Sequence, residues 1–333
     1  MRVVTAFAIT VLSVIAIILI INFLFENTYK NPKKIQYGVS FSPNYAKYLG
    51  LDWQKTYLQI LNELKVKNLR IPTFWDVLEK EEGKLDFSQV DFMLDEAKKA
   101  QAKVILVVGT RQPRWPECHI PVWAKNLSVE KRQKKTLEFV KNVVKKYTDT
   151  SVVTVWQVEN EPLISWFGET CDKPDKQFLQ KEAELVKQLD SKRPVMITDS
   201  GEWGNWTDSL RFADVLGISL YRNIYNDALN LYVHYPISPW MYLVKSGISK
   251  KFTSEDKTIL ISELQAEPWT QNAIPHTSLE RQMKIFSLQD FQQNILYAQK
   301  TGFNEAYLWG VEWWYYMEKQ GYPQYLEYAK ILF

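Results

Sequence analysis

The sequence predicts an α/β protein, a single (β/α)8 TIM barrel preceded by an N-terminal transmembrane helix. Three observations predict it. Eight short β-rich runs recur along the chain, longer stretches of helical periodicity lie between them, and an apolar segment runs from Val3 to Phe25. Strands alternating with amphipathic helices signal βα units and a parallel sheet. Closing eight such units into a barrel accounts for residues 35–333 as one domain of ordinary barrel size.

Taken in order, the first element is the apolar segment, broken only by Thr5, Thr10, Ser13 and Asn22. It is long enough to cross a bilayer, exceeds a signal-peptide core and lacks a small-x-small cleavage site. Residues 1–25 are therefore expected to form an uncleaved anchor and residues 26–34 a tether. Only Arg2 and the terminal amine precede the span, whereas Lys30, Lys33 and Lys34 follow it, so charge gives little support to a cytoplasmic N-terminus. The domain after the anchor is nonetheless expected to be extracytoplasmic.

The expected strands are 35–41, 66–72, 103–109, 152–159, 194–199, 214–221, 258–263 and 305–310. The helical stretches 53–65, 87–101, 131–146 and 176–190 place apolar residues on one face. Residues 279–302 read as one long helix stopped by Gly302, a natural left-handed terminator. The closing "YLEYAKILF" supplies the last helix. No Gly-rich phosphate loop follows the first strand, which weighs against an open dinucleotide-binding sheet.

Composition narrows the partners. A net charge of +3 is too balanced for a nucleic-acid binder. The basic run "KRQKKTLEFVKNVVKK" interleaves its lysines with apolar residues at helical spacing, the pattern of a solvated outer helix face. Thirteen tryptophans and eighteen tyrosines, several beside polar residues, suit a carbohydrate cleft, because flat rings cover the apolar faces of sugars. A monomer is expected.

In such a barrel, chemistry sits at the C-terminal ends of the strands. Those ends collect Arg70, Trp75, Asp76, Arg111, Gln112, Trp115, Asn160, Glu161, Asp199, Glu202, Ser219, Tyr221, Glu263, Gln265, Trp309 and Glu312. Glu161 and Glu263 stand out, since each ends an otherwise apolar strand, the fourth and the seventh. Carboxylates facing each other across a narrow mouth can cleave a glycosidic bond, one protonating the leaving oxygen and the other attacking the anomeric carbon. The pair must titrate differently. Arg70 and Tyr221 are placed to hold Glu263 charged, and Asn160 offers both a donor and an acceptor to a sugar hydroxyl.

These residues resemble the retaining glycoside hydrolases of clan A, the group holding the cellulase and mannanase family and the β-galactosidases. The likeness rests on "NEP" (160–162), Glu263, "LRIPTFWD" (69–76), Tyr221, "LWGVEWW" (308–314) and the connection 74–91, and it covers the chain after the anchor. It implies a TIM-barrel glycosidase acting on β-linked saccharide by double displacement without cofactor or metal. Glu161 would be the acid/base, Glu263 the nucleophile, Asn160 the hydroxyl binder, Arg70 and Tyr221 partners of the nucleophile, and Trp309 the floor of the reacting subsite. Trp115 and Trp269 are expected to line the cleft. One departure is Ser219, where the cellulase-like family usually carries His.

Blander readings stand beside these. Glu159 is expected to be structural, and Glu267, on a loop, is the weaker nucleophile candidate. His119 and His234 read as ordinary loop polar groups, and His276 carries no signal. Cys118 and Cys171 fall in neighbouring loops where an oxidising compartment would permit a disulfide, although spacing alone leaves the pairing open. Transglycosylation and a catalytically inactive polysaccharide-binding barrel are the alternatives to hydrolysis.

Overall fold

A computed structural model describes residues 34–333 apart from 169–170 and 254–256, together with the isolated positions 13, 16 and 20. The expected anchor (1–25) and nearly all of the tether (26–34) lie outside the described residues. Among the described residues no helix is long and apolar enough to cross a membrane.

The described strands are β1 (Gln36–Ser40), β2 (Asn68–Pro72), β3 (Lys103–Val108), β4 (Val153–Val158), β5 (Val195–Ser200), β6 (Val215–Leu220), β7 (Asn223–Asn226), β8 (Leu231–His234), β9 (Thr258–Gln265) and β10 (Glu305–Trp309). Eight of them close a parallel barrel in the order β1-β10-β9-β6-β5-β4-β3-β2. All eight expected strands are present. The pair β7–β8 is a separate antiparallel hairpin inserted after the sixth barrel strand, and the sequence reading had no strand there. Its residues alternate weakly and stay partly exposed, so no apolar run marks them.

Helices return the chain between strands. Val129–Tyr147 buries Phe139, Val140, Val143 and Val144, leaving its lysines outward as the periodicity predicts. The expected single helix over 279–302 is instead two, Leu279–Ile285 and Leu288–Lys300. The break has a local cause. Ser287 caps the second helix, with its hydroxyl accepting the Asp290 N–H while the Asp290 carboxylate accepts the Ser287 N–H. Phe286 meanwhile turns fully into the core.

The barrel interior is graded from apolar to charged. At its lower end Ile105, Met196, Val215, Leu260 and Tyr307 pack together with Val155. Gly38 makes room there, because a Cβ at this position would lie 2.8 Å from the Tyr307 ring and 2.6 Å from the Asn68 carbonyl. Above this layer the interior carries Arg70, Gln157, Asn160, Glu161 and Glu263. A bulge sets the last of these. Register slips on β9 between Ile261 and Glu263 against β6, which leaves Ser262 as an extra residue and re-aims the following carboxylate.

The connection 74–91 shows why its motif residues recur. Glu79 accepts from the Trp75 indole (2.6 Å) and from the Gly83 N–H (2.7 Å), tying the turn at Gly83 to a buried tryptophan. Asp86 accepts the Ser88 N–H at the start of the next helix. These residues build the loop rather than the cleft.

Cys118 and Cys171 form a disulfide, with Cα atoms 5.2 Å apart and a sequence separation of 53. It joins the loops after β3 and β4. Crosslinking over that separation restricts the unfolded chain considerably. Replacing both cysteines by alanine should cost roughly 2–4 kcal/mol, seen as a lower unfolding midpoint by roughly 5–15 °C in calorimetry.

Candidate active site

The site is built around Arg70, which β2 carries into the barrel and which is fully buried. Its guanidinium uses the whole fork: Nε donates to Gln157 Oε1 (2.7 Å), Nη1 to Glu263 Oε1 (2.8 Å), and Nη2 to Asn160 Oδ1 (2.6 Å). One side chain thus ties β2 to β4, to the segment that follows it, and to β9. Tyr221, one residue past β6, donates its hydroxyl to Glu263 Oε2 at 2.9 Å. Burial and then the Glu263 charge raise the Tyr221 hydroxyl well above the ordinary tyrosine range, so it remains a donor.

Glu161 lies three residues past β4 and its environment differs. Its Oε1 accepts from the Ser219 hydroxyl at 2.7 Å, and its N–H donates to Thr198 Oγ1 at 2.8 Å. Among the described residues no lysine or arginine forms an ion pair with its carboxylate. Burial pushes the Glu161 carboxyl well up, and the charges of Glu263 and then Glu117 add to the shift, against a lowering effect of the Ser219 hydroxyl. Ser219 is in register with Glu263 while bonding Glu161, which puts both carboxylates at one mouth with only β5 and β6 between their strands. The residue that departs from the cellulase-like pattern therefore contacts the predicted acid. Glu159 and Glu161 both have left-handed backbone, φ 57° and 46°, a conformation that costs non-glycine residues energy and collects at functional sites.

Glu159 is structural, as expected. It accepts the Thr110 N–H at 2.7 Å and the Arg111 N–H, holding the start of the loop after β3. Behind it Glu182, on the helix Lys176–Leu189, is pushed well up by burial and by the Glu159 charge. Gly109 is required at this junction, because its φ is +110° and a Cβ would come within 2.3 Å of Glu159 Oε1.

Two residues of that loop were not among the sequence candidates. Glu117 faces Asn160 and Glu263; burial, then the Glu263 charge, pushes its carboxyl to about 7. Its Oε2 is buried without a hydrogen-bond partner. Arg114 donates to Glu267 and, at 2.9 Å, to Glu312, and its guanidinium lies 3.9 Å from the Tyr45 ring centroid and 4.1 Å from that of Trp309. Nothing in "RQPRWPECHIPVWA" signals either role, since both depend on where the loop folds back over the barrel.

The remaining predicted residues are placed as follows. Trp309 ends β10 and is 9% exposed, with Arg114 over its ring. Trp269 is 45% exposed and meets Tyr221 edge-on at 5.0 Å. Trp115 is 88% exposed on the loop after β3. Trp166 and Trp203, from the loops after β4 and β5, are also exposed and were not singled out. Glu267 is engaged by Arg114 and not by Arg70 or Tyr221. Arg111 and Gln112, placed at the mouth by the sequence, brace loops: Arg111 donates to the Ile164 and Phe167 carbonyls, and Gln112 accepts the Thr73 N–H. His119 stacks on Phe74 and bonds Asp76 at 3.2 Å. Glu202 accepts from the Tyr221 N–H and the Tyr242 hydroxyl and is raised to about 7 by burial. Among the described residues no group of three or more His, Cys, Asp or Glu is arranged to hold a metal ion.

No protein-family model matches the chain. A curated relative, the beta-galactosidase LacZ of Lactobacillus acidophilus, is 23% identical over 171 residues, covering 46% of this chain and 25% of the relative. The chain thus matches about a quarter of that relative's length. Among solved structures, the GH5_18 protein of Streptomyces cattleya in complex with GlcNAc aligns with TM-score 0.56 at 12% identity, over 84% of this chain and 71% of that one. The exo-beta-1,4-mannosidase Op5Man5 of Opitutaceae bacterium strain TAV5 aligns with TM-score 0.54 at 13% identity, over 90% and 59%. The beta-galactosidase of Halorubrum lacusprofundi aligns with TM-score 0.53 at 14% identity, over 83% and 52%. At these identities the likeness is one of fold: this chain has the TIM barrel of those glycoside hydrolases.

The Arg70 fork generates a stability prediction. Arg70→Met strands the Glu263 carboxylate, Gln157 and Asn160 without their shared donor in a buried layer. It should cost roughly 3–5 kcal/mol in denaturant unfolding, and Arg70→Lys, which restores charge without the fork, should recover only part of it.

Proposed function

We propose that the chain is a retaining β-glycosidase that hydrolyses a β-linked oligo- or polysaccharide. The observation that carries this reading is the unequal setting of two carboxyls at one barrel mouth. Glu263 accepts from a guanidinium and a phenol, the setting of an anionic nucleophile. Glu161 is buried beside that negative charge with a single hydroxyl donor, the setting of an acid that keeps its proton. Environments that push two carboxyls apart assign acid and nucleophile.

In this reading Glu263 attacks the anomeric carbon while the bond to the leaving oxygen breaks and Glu161 delivers its proton there. A glycosyl ester on Glu263 results. Glu161, now a carboxylate, then takes a proton from water, whose oxygen attacks the same carbon and expels Glu263, so configuration is retained. Asn160 would hold the neighbouring sugar hydroxyl, and Trp269 and Trp115 would stack on saccharide at the rim. The floor role of Trp309 needs its ring face, which Arg114 now covers, so the loop after β3 would shift for a sugar to reach it. That covering loop also favours a second reading, transglycosylation, in which a sugar rather than water accepts the glycosyl group. The anchor over residues 1–25 and an extracytoplasmic location belong to the same proposal, and a disulfide in the described domain supports an oxidising compartment.

Several outcomes test the reading. Glu263→Ala and Glu161→Ala should each abolish turnover of natural substrate. On an activated aryl glycoside, added azide should restore Glu263→Ala as an inverted glycosyl azide; normal turnover by either variant would refute the assignment. The acid must be protonated, so kcat/KM should fall as pH rises through the Glu161 pKa. Ser219→Ala removes a hydrogen bond that lowers this pKa, so the alkaline limb should move to higher pH; a limb that stays put or moves down would argue against Glu161 as the acid.

A further inference from the structure

A cavity of about 460 Å³ lies apart from the carboxylate cluster, walled by the hairpin β7–β8, the segment after it and the helix Leu288–Lys300. Its walls include Trp240, Tyr235, Tyr297 and Gln293, a mixture of flat rings and an amide that suits a sugar. Its charged and basic groups are Arg222, His234 and Lys300, and no carboxylate lines it among the described residues.

Arg222 is the unusual member. It directly follows Tyr221, and its backbone N–H is held by Gln265 Oε1 at 3.0 Å, so its start is rigidly placed. The guanidinium lies 4.4 Å from the Tyr297 ring centroid, which orients its plane. Its Nη2 donates to His234 Nε2 at 2.9 Å, while His234 Nδ1 lies 2.7 Å from Asn223 Oδ1. That arrangement makes His234 a neutral acceptor with its proton on Nδ1. Nε of Arg222 is buried and has no hydrogen-bond partner. No carboxylate lies within salt-bridge distance of the guanidinium among the described residues. Asp290 attracts it from further off, but the Asp290 carboxylate is engaged by the Ser287 N–H (2.8 Å) and hydroxyl (2.6 Å). Burial accordingly weakens the hold of Arg222 on its proton relative to an exposed arginine.

A partly buried cation normally has an anion beside it, because desolvation without a partner is costly. Here the neighbouring partners are a neutral imidazole and an aromatic face, and the open side is a cavity with Lys300 on its exposed rim. We propose that this pocket binds the anionic group of an acidic saccharide, a carboxylate or sulfate ester, with Arg222 as its principal partner and Lys300 as a second. The inference rests on the glycosidase reading only in taking the ligand to be a saccharide.

The test is titration calorimetry on the full chain carrying Glu161→Gln, so that binding is read without turnover. Glucuronic acid should bind with a dissociation constant lower than that of glucose by about tenfold or more. The difference should vanish in Arg222→Gln and shrink in Lys300→Gln, whose exposed position leaves folding intact. It should also shrink as salt rises. Equal affinity for the two sugars, or glucuronic acid affinity unchanged in both variants, overturns the proposal. Sodium sulfate binding as tightly as glucuronic acid would make the pocket a site for a free inorganic anion and overturn the saccharide assignment. Should Glu161 and Glu263 variants retain turnover while these titrations succeed, the glycosidase reading fails and the anion pocket stands.

Discussion

The structure turns on one buried arginine. A guanidinium at the centre of a barrel is tolerable only if its donors are satisfied and its charge is met. Arg70 meets both demands at once, through Glu263, Gln157 and Asn160. Those demands specify which side chains β4, the turn after it and β9 must aim inward. They also make the two glutamates unequal. One is neighboured by the cation, and the other is left with Ser219 and the negative charge of its counterpart. The unequal partners of the two glutamates are thus a consequence of where a single positive charge is buried.

A second constraint holds the roof. The loop after β3 begins on the Glu159–Glu182 pair, passes Gly109 where no side chain would fit, and is fastened near its far end by the Cys118–Cys171 disulfide. Between these ends it sends Arg114 onto Trp309 and Glu117 toward Asn160 and Glu263. Both insertions put charged groups where a saccharide is proposed to lie. A saccharide bound there would have to displace the contacts that Arg114 already makes with Glu267, Glu312 and the Trp309 ring.

Much of the architecture was readable in advance. The eight barrel strands were legible because parallel strands buried on both faces appear as short continuous apolar runs, and their ends pointed to Arg70, Tyr221, Glu161 and Glu263. Motif residues such as Glu79 and Gly83 were legible as recurring, but not as parts of a turn. The break at Ser287 was missed because the apolar period continues through it, although "SLQD" spells a capping box. The hairpin β7–β8 was missed because strands with two half-exposed faces carry no strong pattern. Arg111 and Gln112 were placed correctly at the mouth yet face its loops, since position at a strand end does not say where a long side chain turns.

What the sequence by itself determined is the order of elements and the identity of the residues at the strand ends, because burial imposes a periodicity that local composition must obey. Tertiary structure alone decided which of those residues touch. The bulge at Ser262, the Ser219 contact to Glu161, and the approach of Arg114 and Glu117 join segments far apart in the chain. Such contacts leave no period in the sequence, since they depend on how barrel closure brings loops from different strands over one opening.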